Sequence, residues 1–320
     1  MRTTVQVRPR IPSEMDSTLI PSSSNNRIRI GISACLLGHE VRYNGGHTRD
    51  RYVTDTLAEY FEWIAVCPEV ELGLGTPRET IQLVQLDEDV RLRFTKSNED
   101  LTHRMRSYAR KRATELAGES LRGYILKKDS PSCGMERVKV HQAKGPAKRN
   151  GRGMFAEALM QRCPNLPIEE EGRLCDPRLR ENWVERVFAY DALCQLWESR
   201  WKIGDLVAFH TRYKFALLAH SEKEYRELGR LVAAAKSHTR KELRQQYEST
   251  FMSAMKKMAT TRKNTNVLQH MLGYFKKDLD EASRHELLQH IHDYRAGLVP
   301  LIVPLTLLRH YVRVLNVEYL

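Results

Sequence analysis

The chain has 320 residues, of which 41% are hydrophobic and 29% are charged, as is typical of soluble globular proteins. No apolar run approaches the ~20 residues that cross a bilayer, which argues against a membrane role. Six cysteines are too few for a disulfide framework in a chain this long, so they predict reduced thiols in a cytoplasmic protein. The length predicts two domains.

Positive charge is concentrated in the second half of the chain. The net charge is +12, and residues 201–320 carry 20 lysines and arginines against 12 acidic residues, which leaves about +4 for the first 200 residues. A basic surface favours a phosphate-bearing partner, so nucleic acid is the first partner to consider. The alternative is that the positive charge only keeps the protein soluble and binds no particular partner.

The pattern of elements predicts an α/β fold followed by helices. Residues 1–26 mix proline, serine and isolated charges without the apolar centre of a secretory signal, which indicates a flexible N-terminal arm. Residues 27–200 are predicted to form a Rossmann-like parallel sheet with flanking helices, and residues 201–320 a mainly α-helical, basic, RNA-binding domain. The basic, glycine-rich segment 141–153 is predicted to be a mobile loop. Helices are expected near 51–61, 100–117, 155–162 and 178–201.

Three short apolar segments predict strands that each end just before a cysteine. Helical stretches separate them, so the strands are expected to run parallel, and their carboxyl ends should share one edge of the sheet. Ligands of open α/β sheets bind beyond that edge, and the three thiols are therefore predicted to meet there. The pairs are Ile28–Ile32 with Cys35, Trp63–Val66 with Cys67, and Gly123–Leu126 with Cys133.

Three thiols at one edge are compatible with a zinc site, a redox nucleophile, an iron–sulfur cluster or ordinary buried cysteines. Structural zinc sites show cysteine pairs two to four residues apart, and no such pair occurs here. Three ligands would leave one iron of a cubane cluster open to substrate. Cys163, Cys175 and Cys194 are predicted to be bystanders.

Four segments around these cysteines resemble the thiouracil desulfidase family. The resemblance covers about residues 28–176, and its motifs occur in the same order. They are SACLLG (33–38), RYNGG (42–46), CPEVELGLGTPR (67–78) and KKDSPSCG (127–134). Downstream, DLVAFHTRYKFALLAHS (205–221) and NVLQHMLGYFKKDL (266–279) resemble the helical domain fused to bacterial tRNA 4-thiouridine desulfidases.

The resemblance implies a 4Fe-4S cluster held by the three motif cysteines, with a fourth iron that accepts substrate sulfur. It implies a hydrolytic, non-redox removal of sulfur from 4-thiouridine in RNA, chiefly tRNA, which yields uridine and hydrogen sulfide. The alternatives are a desulfidase of free thiouracil or thiouridine, and an iron–sulfur sensor that binds nucleic acid. No GxxxxGK phosphate loop is present, which argues against an ATP-dependent thiolation enzyme.

Candidate catalytic residues follow from proximity to the cysteines. Glu69 is predicted to take a proton from water, with Glu71 in reserve. Ser132 and Asp129 are candidates for stabilising the developing charge, together with Ser130 and Ser33. Structural alternatives remain open: Glu69 as a helix cap, and the serines as residues that shape their turns.

The basic segment 240–263 is predicted to face RNA through its phosphates. A thiolated base in folded RNA must be exposed or flipped before its sulfur reaches an iron. The predicted contact residues are Arg240, Lys241, Arg244, Lys256, Lys257, Arg262 and Lys263.

Overall fold

The computed structural model describes residues 27–275 and 277–317. The predicted arm over residues 1–26 lies outside the described residues. Among the helices that are described, none combines the length and apolar character that crossing a membrane requires.

The first part of the chain forms two four-stranded sheets. The strands are β1 (Ile28–Ser33), β2 (Phe61–Val66), β3 (Ile81–Leu86), β4 (Asp89–Phe94), β5 (Gly123–Leu126), β6 (Val138–His141), β7 (Lys148–Gly151) and β8 (Ile168–Glu170). The helices are α1 (Pro68–Glu71), α2 (Thr102–Gly118), α3 (Met154–Arg162) and α4 (Pro177–Glu198).

The first sheet is parallel throughout, with the strand order β2-β1-β5-β8. Ile30 and Ile32 of β1 lie on the same face of the strand and are fully buried in the core. Gly31 lies between them, where an added Cβ would come within 2.2 Å of the Tyr124 ring on β5. The prediction of an α/β fold with a parallel sheet and flanking helices is confirmed.

The second sheet was not predicted. Its order is β4-β3-β6-β7, and its antiparallel hairpins β3-β4 and β6-β7 are joined through the parallel pair β3-β6. The prediction of a mobile loop over 141–153 is wrong, since Lys148–Gly151 pairs with β6. In β6 the buried Val138 and Val140 alternate with exposed polar residues, and two apolar positions are too few to reveal a strand in the sequence.

The predicted helix near 51–61 is also wrong. A single π turn (Tyr52–Thr56) and a 3-10 turn lead directly into β2.

The second part of the chain is helical, as predicted. Its helices are α5 (Ile203–Arg212), α6 (Lys214–His220), α7 (Glu222–Ala233), α8 (Arg240–Lys256), α9 (Thr261–Leu272), α10 (Glu281–Arg295) and α11 (Ile302–Val314). Helix α4 belongs to both cores: Trp183 and Val187 pack against the parallel sheet, whereas Leu193 and Trp197 pack among α5, α7 and α8. One continuous helix thus joins the two parts.

His220 fastens α6 to α4 and to the end of α8. Its ring nitrogens face two acceptors, the Glu185 carboxylate at 3.0 Å and the Lys257 carbonyl, while the Lys263 ammonium donates to the His220 carbonyl at 2.7 Å. Burial and the Lys263 charge lower the pKa of His220. Hydrogen bonding and charge from Glu185, with the Lys257 carbonyl, outweigh them and raise it overall. The imidazolium form of the buried ring is therefore favoured.

We expect this imidazolium to make stability fall with rising pH. A pKa raised in the folded state contributes stability that is fully present below the unfolded pKa of about 6.5 and is lost as pH rises through the folded pKa. Denaturant unfolding at about pH 6 and pH 8 measures the difference. The difference in the free energy of unfolding between the two pH values should disappear in His220→Ala. This variant should also lose about 1–3 kcal/mol of stability at low pH, because Glu185 and the Lys257 carbonyl lose their hydrogen-bond partner. An unchanged pH dependence of stability in that variant would refute the role assigned to His220.

Candidate functional site

The structure brings the three predicted cysteines to one edge of the parallel sheet. Cys35 lies in the turn after β1, Cys67 immediately precedes α1 after β2, and Cys133 lies in the loop after β5. Strands β2, β1 and β5 are neighbours in the sheet, so their carboxyl ends deliver the three thiols side by side. The crossover topology therefore assembles residues that are far apart in sequence.

The three thiols line one cavity of about 300 Å³. This is at the lower end of the ~300–1,000 Å³ typical of small-molecule sites. Cys133 is buried, whereas Cys35 and Cys67 are partly exposed, and burial raises the pKa of all three thiols. The other cysteines do not line it. The remaining walls include Ser33, Val41, Arg42, Tyr43, Glu69, Arg78, Thr80, Lys127, Asp129, Ser130 and Ser132.

Glu69 points into the cavity and is held from two sides. Its Oε1 accepts a hydrogen bond from Ser132 Oγ at 2.7 Å, and its Oε2 accepts one from Arg78 Nε at 3.0 Å. The Arg78 side chain is only 4% exposed, and it also donates to the carbonyls of Val41 and Gly75. Arg78 thus holds a loop carboxylate at the wall of the cavity.

Glu71, the reserve candidate, is directed away from the cavity. Its Oε1 accepts from the Cys67 backbone N–H at 3.2 Å, and its Oε2 accepts from Tyr108 OH at 2.6 Å. Arg112 of α2 approaches the same carboxylate at 3.1 Å. Glu71 therefore supports the first turn of α1 and joins it to α2. The capping role considered for Glu69 belongs to Glu71.

The serines form a chain of hydroxyls beside Cys133. Ser132 Oγ lies 2.9 Å from Ser130 Oγ and 3.7 Å from Cys133 Sγ. Ser130 Oγ accepts from the Cys133 N–H at 3.1 Å and so also shapes its turn. Ser33 Oγ accepts from the Lys127 N–H at 3.0 Å. Hydrogen bonds from Ser33 and Ser132 lower the pKa of Cys133, but burial outweighs them.

Asp129 is placed differently from the other candidates. Its carboxylate is 55% exposed and accepts a hydrogen bond from Arg149 of β7 at 2.9 Å. It lies at the cavity wall without a contact to Glu69 or Ser132.

Two acidic residues that the sequence analysis overlooked fix the Cys133 loop. Glu170, at the end of β8, accepts from the Met135 N–H at 2.7 Å, and Glu171 accepts from the Lys128 N–H at 2.8 Å and pairs with the Lys127 ammonium. The detectable signal was the run of three glutamates, Glu169–Glu171, at the end of β8, because carboxylates are rarely buried in a sheet unless they have partners. Gly153 closes the loop from the other side, where a Cβ would come within 2.5 Å of the Ser132 carbonyl.

Comparison with known proteins agrees with this geometry. Residues 30–171 match the family model described as 2-thiouracil desulfurase, and residues 214–320 match a domain of unknown function, DUF1722. The chain is 36% identical over 135 residues to the uncharacterized protein YbgA of Escherichia coli K12, spanning 42% of this chain and 80% of that protein. The chain belongs to the 2-thiouracil desulfurase family. The resemblance read from its four motifs is confirmed.

Two further relatives belong to the same comparison. The uncharacterized protein YbbK of Bacillus subtilis 168 is 33% identical over 135 residues, covering 41% of this chain and 88% of that protein. A solved structure described as the [4Fe-4S]-dependent thiouracil desulfidase TudS is 30% identical, covers 50% of this chain and 99% of its own, and gives a TM-score of 0.40.

The desulfurase domain offers three thiols without a compact site for a single ion. Among residues 27–275 and 277–317, no three cysteine, histidine, aspartate or glutamate side chains converge closely enough to hold one metal ion.

The predicted RNA-contact residues divide into two groups in the helical part. Four are occupied by internal contacts: Arg240 and Arg244 lie over the Trp201 and Trp197 rings, Lys257 pairs with Glu224, and Lys263 donates to His220. The exposed side chains without a partner among the described residues are Lys241, Lys256 and Arg262. The positive charges of these three side chains are therefore available to a ligand.

Proposed function

We propose that the protein is a [4Fe-4S]-dependent desulfidase that removes sulfur from 4-thiouridine in RNA, chiefly tRNA. One observation carries the proposal: Cys35, Cys67 and Cys133 meet in one cavity with the carboxylate of Glu69. Membership of the desulfurase family supports the type of reaction. The RNA substrate is supported by the basic helical domain joined to it, and the free cysteines suit a cytoplasmic protein.

The donor set fits an iron–sulfur cluster. The only cysteines that line the cavity stand at the ends of three separate strands, and each would ligate a different iron, so they need not crowd around one ion. Thiols with raised pKa release their protons as metal binds. The similar solved desulfidase is described as [4Fe-4S]-dependent, and we carry that cofactor to this chain. When bound, the cluster supplies an iron without a protein ligand that polarises the thiocarbonyl and takes up its sulfur.

The net reaction replaces the carbon–sulfur double bond with a carbon–oxygen double bond, without a change of oxidation state. The carbon–sulfur bond breaks, a carbon–oxygen bond forms, and one water supplies the oxygen and the two protons of hydrogen sulfide. We assign Glu69 as the group that takes a proton from the attacking water, because it lines the cavity and Arg78 holds its carboxylate in place there. Ser132 positions Glu69 by donating its one hydroxyl proton to that carboxylate, and once Glu69 has taken a proton from water the hydroxyl is free to turn to the charge that develops on the ring. Ser33 supports the same loop through Lys127, and Asp129 remains a candidate at the rim.

The helical domain is assigned to hold the RNA. The exposed ammonium and guanidinium groups of Lys241, Lys256 and Arg262 suit sequence-independent contact with phosphates. Such contact weakens with salt because bound counterions are released. The competing substrate is a free thiopyrimidine, which the description of the matched family favours.

Comparing two substrates across salt concentrations separates these functions. We expect kcat/KM for 4-thiouridine-containing tRNA to exceed that for free 4-thiouridine at low salt, and to fall as salt rises while the nucleoside value changes little. The triple variant Lys241→Ala, Lys256→Ala, Arg262→Ala should lower only the tRNA value, because it removes charges distant from the reacting carbon. Equal or better turnover of free thiouracil or thiouridine at every salt concentration would assign the enzyme to free bases.

A further inference from the structure

A second cavity, of about 540 Å³, lies between the desulfurase domain and the helical domain. Its walls come from the segment after Cys133, from α4 and from α8, so it exists only where the two domains meet. Two hydrogen bonds hold these walls together: Asn182 of α4 donates to the Met255 carbonyl at 3.1 Å, and Asn165 donates to Glu248 at 3.0 Å. Of its lining, only Lys256 has a role in the function proposed above.

Cationic side chains outnumber carboxylates in its lining. Arg152, Arg173, Arg186 and Lys256 line it, against Glu136 and Glu169. Arg173 pairs with both carboxylates, at 2.9 Å to Glu136 and 2.6 Å to Glu169. The positive charge that remains belongs mainly to the other three cations.

Arg186 is the buried cation of this lining whose donors are not fully used. Its side chain is 7% exposed, its Nε has no hydrogen-bond partner among the described residues, and its contact with Glu169 is 3.6 Å, too long for a hydrogen bond. Burial lowers the pKa of its guanidinium, although Glu169 partly offsets this. A buried guanidinium with unused donors gains more from an anion than a solvated one does.

The rim of the cavity adds donors that are free to turn toward the same ligand. Arg152 Nε donates to the Met135 carbonyl at 2.9 Å, and its terminal nitrogens have no other partner in the described part of the chain. Lys256, at the end of α8, is exposed. Arginine forks match the oxygens of phosphate, and a lysine adds a point charge.

We propose that this interdomain cavity binds a backbone phosphate of the RNA substrate. The inference rests on the proposed function for the identity of the phosphate carrier. Ser132 and Cys133 line the catalytic cavity and Met135 and Glu136 line this one, so a single residue, Gly134, separates the two linings along the chain. An RNA strand bound in this cavity would lie beside the loop that contains Cys133. The second domain thereby completes a binding site that neither domain forms alone.

Calorimetric titration of the full-length protein tests the proposal with probes that contain no sulfur. Inorganic phosphate at constant ionic strength should bind, and a short unmodified single-stranded RNA should displace it. Lys256→Ala and Arg152→Ala should each weaken both affinities about tenfold, the loss expected for one charge-assisted hydrogen bond. Arg186→Met should act in the same direction, and the two rim variants keep the test valid if that buried substitution unfolds the protein.

The matched control is Lys236→Ala, which removes an exposed lysine of the helical domain away from the cavity. It should change both affinities by less than about twofold, since surface charge alone contributes little. Absence of phosphate binding, phosphate that RNA does not displace, or equal losses in Lys236→Ala would each overturn the proposal. Desulfuration of free 4-thiouridine is measured separately, so failure of the proposed function is distinguishable from failure of this site.

Discussion

Glu69→Gln is expected to lower desulfuration by about 10²–10⁴-fold, the contribution typical of a positioned general base. Glutamine keeps the length of the side chain and an oxygen that can still accept from Ser132, but it cannot take a proton from water. The variant also loses the negative charge opposite Arg78, so its stability is measured in parallel. Thiocarbonyl absorbance follows the reaction with protein that contains equal iron.

Glu71→Gln is the matched comparison, because Glu71 lies two residues away in the same short helix and outside the cavity lining. It should weaken the contacts to Tyr108 and Arg112 while much of the activity remains. Loss of activity in Glu71→Gln, with activity retained in Glu69→Gln, would identify Glu71 as the general base. Iron-loaded Glu69→Gln with undiminished activity would remove the carboxylate from the mechanism, and no desulfuration in the wild type would favour the sensor function.

Cys133→Ser is expected to lose most of the iron that the wild-type protein takes up during anaerobic reconstitution. Cys133 is the most buried of the three proposed ligands, and a serine hydroxyl is a poor substitute for a thiolate on iron. Iron and acid-labile sulfide are assayed chemically, and the charge-transfer absorbance of the cluster is recorded. Desulfidase activity should be lost together with the iron.

Cys194→Ser provides the control, because Cys194 is also buried but lies on α4, outside the catalytic cavity. Its iron content should match the wild type even if its stability drops. Equal iron loss in both variants would indicate a general folding defect. Full iron in Cys133→Ser would exclude Cys133 as a ligand.

The sequence predicted the part of the site that depends on topology. Short apolar segments before Cys35, Cys67 and Cys133 were sufficient, because right-handed crossovers leave parallel strands few possible arrangements. The order of neighbours β2-β1-β5 was not predicted, since it depends on packing between elements distant in sequence.

The side-chain partners within the site were beyond what local sequence patterns specify. Glu69 and Ser132 are 63 residues apart, and their hydrogen bond depends on how two loops meet. The same is true of Arg78, whose role as a partner of Glu69 became evident only from their distance. The second sheet was overlooked because its strands carry charged residues on one face, as in Val138–His141, so that too few apolar positions remain to show a period of two.

The most direct test of the central claim is the loss of thiocarbonyl absorbance from 4-thiouridine in tRNA, measured with anaerobically reconstituted protein beside a Cys35→Ala control. We expect the absorbance to disappear and hydrogen sulfide to be released only with the intact protein. No loss from tRNA or from free thiopyrimidines, with a spectroscopically confirmed cluster, would contradict it.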